Sequence, residues 1–173
     1  MNNELQFGIQ TNGIKHTHLD PMPDIDHRFS MVKEAKVFDY VDKTPEQDEI
    51  IYFLKAKDKY QIPIKAGGWF YTVGEHKSLL KKNLLIAQNL GSTVHNTQIQ
   101  AINSDGNLVT NSEVRDVYLE AYDMGLKLGV TPCFEVHVNM WSEDFLRVTE
   151  VGNLVEDKGV EFNITLDHSH VVF

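Results

Sequence analysis

At 173 residues, 42% hydrophobic and 24% charged, the chain can bury one core and reads as a single domain over residues 1–173. A formal charge of −9 leaves no broad basic surface for nucleic acid or an anionic membrane. The single cysteine, Cys133, rules out a disulfide framework; no apolar run approaches the roughly 18 residues of a membrane span, and the N-terminus lacks the basic and apolar regions of a leader, so cytoplasm is the expected compartment.

Along the chain, short β-rich runs alternate with longer amphipathic stretches, the pattern of repeated βα units around a parallel sheet. Six strands are predicted, at residues 5–10, 36–41, 62–66, 93–99, 130–138 and 160–166. The first unit contains a long loop over 16–27, with Pro21 and Pro23, before a short helix over 29–35. Thr44-Pro45-Glu46-Gln47 reads as a capping box that opens a helix carrying Ile50, Ile51 and Leu54. Thr72 and Glu75 offer a similar start to a helix with Leu80, Leu84 and Ala87 on one face, ending at Gly91. Val114, Val117, Tyr118, Ala121 and Gly125 follow helical spacing, and Ser142 precedes a helix with Phe145, Val148 and Val155 on one face. Gly129 and Gly159 close these later helices. On the fourth strand His95, Thr97 and Ile99 share what reads as the inward face, with His95 a core histidine.

The chemistry concentrates at strand ends. Thr131-Pro132-Cys133-Phe134-Glu135-Val136-His137 releases a carboxylate and an imidazole two positions apart, on one face of a strand. The last strand ends in Asp167-His168-Ser169-His170. Carboxylate with imidazole is a ligand set for a divalent cation, and mixed oxygen and nitrogen donors suit manganese, magnesium, cobalt or zinc alike. Polar groups also fall at the other strand ends: Gln10 and Thr11, Asp42, Gly67 and Gly68, Gln98 and Gln100. Such a spread favours a closed (β/α)8 TIM barrel over a doubly wound sheet with one crevice, with about six βα units in this chain. Gly67-Gly68 is followed by Trp69-Phe70-Tyr71 and fits no phosphate-binding glycine fingerprint.

In Glu135 and the pattern Asp167-His168-Ser169-His170 the sequence resembles the xylose isomerase-like TIM-barrel superfamily of sugar isomerases, ketose epimerases, dehydratases and endonuclease IV-like enzymes. The resemblance covers the whole chain. It implies that Glu135 and Asp167 are two of four metal ligands and that His170 contacts the substrate. It also implies two further βα units, so the expectation is an N-terminal portion of a longer enzyme. An alternative is a fragment that acts as a non-catalytic binding module.

The implied reaction is isomerisation or epimerisation of a sugar or sugar derivative by proton transfer next to a carbonyl. Glu135 and His170 are the expected catalytic residues, and a divalent metal at Glu135 and Asp167 is the expected cofactor. His137 serves as a substrate contact or a supporting hydrogen-bond partner. Trp69, Phe70 and Trp141 follow strand ends, where aromatic faces pack either on a sugar ring or in the core. His16 and His18 read as loop histidines; His27 and His76 read as surface. A dehydratase is the alternative chemistry, and an endonuclease is disfavoured by the charge. A small-molecule sugar is the expected partner, with no nucleic acid and no membrane, and a homo-oligomer is left open.

Overall fold

The alternation of short apolar runs and amphipathic stretches is realised in a computed structural model that describes residues 5–11, 24–65 and 67–167. Among the described residues the elements in chain order are β1 (Gly8–Gln10), α1 (Ile25–Ala35), β2 (Tyr40–Asp42), α2 (Ile50–Tyr60), β3 (Ile64–Lys65), β4 (Gly68–Tyr71) and α3 (His76–Leu90). They continue with β5 (Val94–Ile99), α4 (Asn111–Leu128), β6 (Thr131–Val136), α5 (Phe145–Glu156) and β7 (Ile164–Leu166). All strand pairs are parallel, in the orders β1-β2-β3 and β4-β5-β6-β7. None of the described helices is long and apolar enough to cross a membrane.

β3 and β4 share one position in the wall, so six strand positions result, as the alternation predicts. Gly67 makes the joint. Its φ of 92° is open to glycine, its carbonyl accepts from the Asn96 N–H at 2.7 Å, and its own N–H binds the Asp42 carboxylate. A Cβ here would lie 2.6 Å from the Lys43 carbonyl carbon and from Thr44 Oγ1. The glycine thus lets β2 and β4 approach closely enough to continue one wall.

Two of the three glycine stops behave as the sequence suggests, and the helix starts do not. Gly91 and Gly129 close α3 and α4 in the left-handed conformation, φ 77° and 68°. Gly159 also has positive φ, but α5 ends earlier, at Glu156. The Thr44 capping box does not form: Thr44 is buried at the joint, the chain turns over 47–49, and α2 begins only at Ile50. The Glu46 N–H donates instead to Glu49 Oε2 at 3.1 Å. Thr72 Oγ1 likewise reaches Gln100 Oε1 (3.3 Å) rather than capping α3. Asp144, not Ser142, caps α5 through the Leu146 N–H. α1 starts earlier than expected, at Ile25, because the Asp24 side chain accepts from the His27 N–H at 2.8 Å. It runs to Ala35 with Lys36 as a left-handed cap, which delays the second strand to Tyr40.

Two hydrophobic interiors lie between wall and helices. The larger gathers Tyr71, Leu80, Leu84, Val117, Tyr118, Phe134 and Trp141 under α3, α4 and α5. The smaller gathers Phe29, Val32, Val41, Phe53 and Ile64 under α1 and α2, with Ile86 and Leu90 of α3. On β5 the expected face is reversed. His95, Thr97 and Ile99 are buried on the side of the helices, where His95 Nε2 meets the Tyr71 hydroxyl at 2.7 Å, while Asn96 and Gln98 line the interior. His95 is the core histidine expected, with burial holding its pKa down to about 4. A barrel strand is covered on both faces, so apolar alternation alone cannot tell one face from the other.

Candidate active site at the strand ends

The inner faces and C-terminal ends of the strands enclose a cavity of about 350 Å³. Each wall position contributes: Gln10 at the end of β1, Asp42 at the end of β2 with Lys43 and Thr44 after it, Gly68 and Phe70 from β4, Asn96 and Gln98 from β5, Glu135 and His137 at β6, and Asp167 after β7. The two-residue period of the strands brings Glu135 and His137 to the same side and sends Phe134 and Val136 into the core.

Glu135 is 8% exposed. Its Oε2 accepts from Gln98 Nε2 at 2.7 Å, a bond from the adjacent strand that fixes the carboxylate. Burial pushes its pKa above the ordinary value, the Gln98 bond and the nearby His137 work against that rise, and the charges of Asp167 and Asp42 add to it. Gly68 stands beside this group. A Cβ on it would sit 3.2 Å from the Asn96 Cβ and 3.8 Å from Glu135 Oε2, so its missing side chain keeps the approach to the carboxylate open.

One serine ties the end of β6 together. Ser142 Oγ donates to the Glu135 carbonyl at 2.7 Å and accepts from the His137 N–H at 3.2 Å. His137 Nδ1 lies 2.7 Å from the Val138 carbonyl, which sets the neutral ring's proton on Nδ1 and its lone pair on Nε2. The Phe70 ring meets that imidazole edge-on, with centroids 6.1 Å apart. Deeper in the wall Thr165 Oγ1 donates to Asn96 Oδ1 at 2.6 Å and bonds β7 to β5 across β6. Across the cavity Asp42 is raised by burial, opposed by the Gly67 amide and the Gln10 side chain.

No protein-family model matches the chain, and no curated protein does. Solved structures do match. A xylose isomerase domain-containing protein from Salmonella typhimurium superposes with a TM-score of 0.72 and 17% identity, over 98% of this chain and 63% of its own. The IolI protein, solved with a zinc atom, gives 0.69 and 14% over 96% and 64%. A D-allulose 3-epimerase from Methylomonas sp., solved with D-allulose, gives 0.69 and 12% over 96% and 64%.

The fold is that of the xylose isomerase-like TIM barrels. This chain spans a little under two thirds of the length of those three proteins. In the xylose isomerase-like frame the cavity lies at the C-terminal strand ends, where such barrels carry their functional groups.

Of the expected site residues, Glu135, His137 and Asp167 meet in the cavity. Trp69 and Trp141 do not. Trp69 packs on the larger core from the outer face of β4, and Trp141 is 1% exposed beside Phe134, so both are corrected from substrate contacts to structural residues. Phe70, one position from Trp69 and therefore on the opposite face, is the aromatic that enters the cavity, 45% exposed. His76, read as a surface residue, is largely covered beside Glu120. His27 is exposed as expected. His170, with His168, His16 and His18, lies outside the described residues. Lys43, Asn96 and Thr165 gave no motif; only the two-residue alternation, once registered on Glu135, leads to Asn96 and Thr165.

A divalent cation fits the donors that are present. The charges of Asp167 and Asp42 raise the electrostatic cost of Glu135, which a cation between carboxylates relieves, and buried Asp42 Oδ1 has no hydrogen-bond partner among the described residues. Among the described residues no three His, Cys, Asp or Glu side chains converge into a full shell; Glu135 and Asp167 are the residues that would hold such an ion.

Proposed function

We propose that the chain forms part of a metal-dependent isomerase or epimerase acting on a sugar or sugar derivative by proton transfer next to a carbonyl. The observation that carries this reading is Glu135, a buried carboxylate with a raised pKa, oriented by Gln98 and facing a cavity of sugar size lined by amides, carboxylates and one aromatic ring. The likeness in fold to an epimerase and to a zinc-holding protein supports it.

Glu135, oriented by Gln98, is placed to remove a proton from carbon beside a carbonyl. The C–H electron pair then moves toward the carbonyl oxygen. In isomerisation the proton held on Glu135 returns to the neighbouring carbon while a hydroxyl proton passes between the two oxygens; in epimerisation a second acid delivers a proton to the opposite face while Glu135 keeps the first. A divalent ion held by Glu135 and Asp167 would supply Lewis-acid stabilisation of the negative charge on that oxygen. Phe70 offers an apolar face for the substrate's C–H groups, and His137 offers a hydrogen-bonding edge.

The test is exchange of substrate C–H protons with deuterated solvent across a panel of ketoses, with manganese added. Glu135→Gln should slow exchange by about 100-fold or more. Asp167→Ala should lose bound manganese in the purified protein. Exchange at the native rate in Glu135→Gln would remove Glu135 from the chemistry and, with it, this reading.

A further inference from the structure

The cavity wall contains one cation among its described residues. Lys43 follows β2, half-buried, on the far side of the cavity from β6 and β7. Its backbone is pressed against the Gly67 joint, so the base of the side chain is fixed. Asp42, its chain neighbour, has the Gly67 amide and the Gln10 side chain on its carboxylate and also feels the Lys43 charge. No ion pair among the described residues includes Lys43. Beyond Asp42, a lysine partly covered by the wall gains from a further well-placed anion.

The position of this lysine matters because every other charged group on the described wall is a carboxylate: Asp42, Glu135 and Asp167. Lys43 and Glu135 are separated by two strand positions in the wall, and a ketose-sized chain crossing the cavity would have its reacting end at one and its far end at the other. Gln10 and Thr44 line the same end as Lys43 and carry further donors. Building on the sugar reading of this site, we propose that Lys43 binds an anionic group, a phosphate or a carboxylate, at the end of the substrate remote from the carbon that Glu135 deprotonates. Lys43 then sets the substrate class: with it, the cavity selects charged sugars, and without it the carboxylates repel them.

The experiment is calorimetric binding of D-fructose, D-fructose 6-phosphate and D-fructuronate to the full chain with magnesium present. The same titrations are run on Lys43→Met, which keeps the alkyl stem, and on Lys43→Arg. At least one of the two anions should bind the native chain about tenfold or more tightly than fructose. Lys43→Met should abolish that preference, and Lys43→Arg should keep most of it. Tighter binding of the phosphate assigns a phosphorylated substrate, and tighter binding of fructuronate assigns a sugar acid. Equal binding of fructose and both anions, or a preference that survives in Lys43→Met, would overturn the proposal and leave the sugar reading standing. No binding of any of the three would overturn both.

Discussion

Glu135 carries its charge in a place that disfavours it, and this has a measurable consequence for the whole fold. Its pKa in the folded chain is raised above the ordinary 4.5, so the folded state holds that proton more tightly than the unfolded state. Its contribution to stability is therefore complete below the unfolded pKa and is lost as pH rises through the folded one. Glu135→Gln is neutral at every pH and keeps an oxygen for the Gln98 amide. In chelator-treated protein it should raise the melting temperature at about pH 7 and change it little at about pH 4. Thermal unfolding at the two values checks this, and a variant no more stable at the higher pH would mean that the carboxylate is already compensated. Such a group invites function because its local cost is repaid only when something binds. The type of residue at this position was legible in the sequence, since a carboxylate ending an apolar strand needs a reason. Its partner Gln98 was legible only as a polar strand end, because the pairing depends on the register between β5 and β6.

At the scale of elements, local chemistry predicted where helices stop and failed on where they start. A left-handed cap is decided by the backbone of one residue, so Gly91 and Gly129 could be read directly. A capping side chain is available to the whole molecule, and at Thr44 packing at the joint outweighs its propensity to cap. Among the described residues a complete capping box lies elsewhere, in the run Thr110 to Glu113. The Thr110 side chain accepts from the Glu113 N–H at 3.2 Å, and Glu113 Oε2 accepts from the Thr110 N–H at 2.7 Å. Thr110→Ala should therefore cost about 1 kcal/mol in urea unfolding, most of it recovered by Thr110→Ser. An alanine variant as stable as the native chain would show that the box contributes nothing to α4.

For the molecule as a whole, the βα alternation was readable because each unit announces itself locally, whereas the two-part construction of the wall was not. It depends on Gly67, which looks in sequence like an ordinary strand-end glycine and in space is where two sheets meet. Gly67→Ala must adopt φ of 92° with its Cβ against the Lys43 carbonyl, and should cost about 3 kcal/mol or more. Gly106→Ala is the control. That glycine has φ of 82° but nothing within 4 Å of a Cβ, so the variant should lose only about 1 kcal/mol of backbone strain. Similar losses at both sites, read from urea midpoints, would mean that the close approach at the joint carries no special cost.

α3 turns Leu80, Leu84 and Ala87 toward one interior and Ile86 and Leu90 toward the other. A single rod thus serves as the common wall of two rooms. When the smaller room opens, the rod loses the neighbours that hold one of its sides, and the larger room feels the loss as a loosened beam. A substitution that opens space among Phe29, Phe53 and Ile64 should for that reason also loosen the packing of Leu80 and Leu84 on the other side of α3.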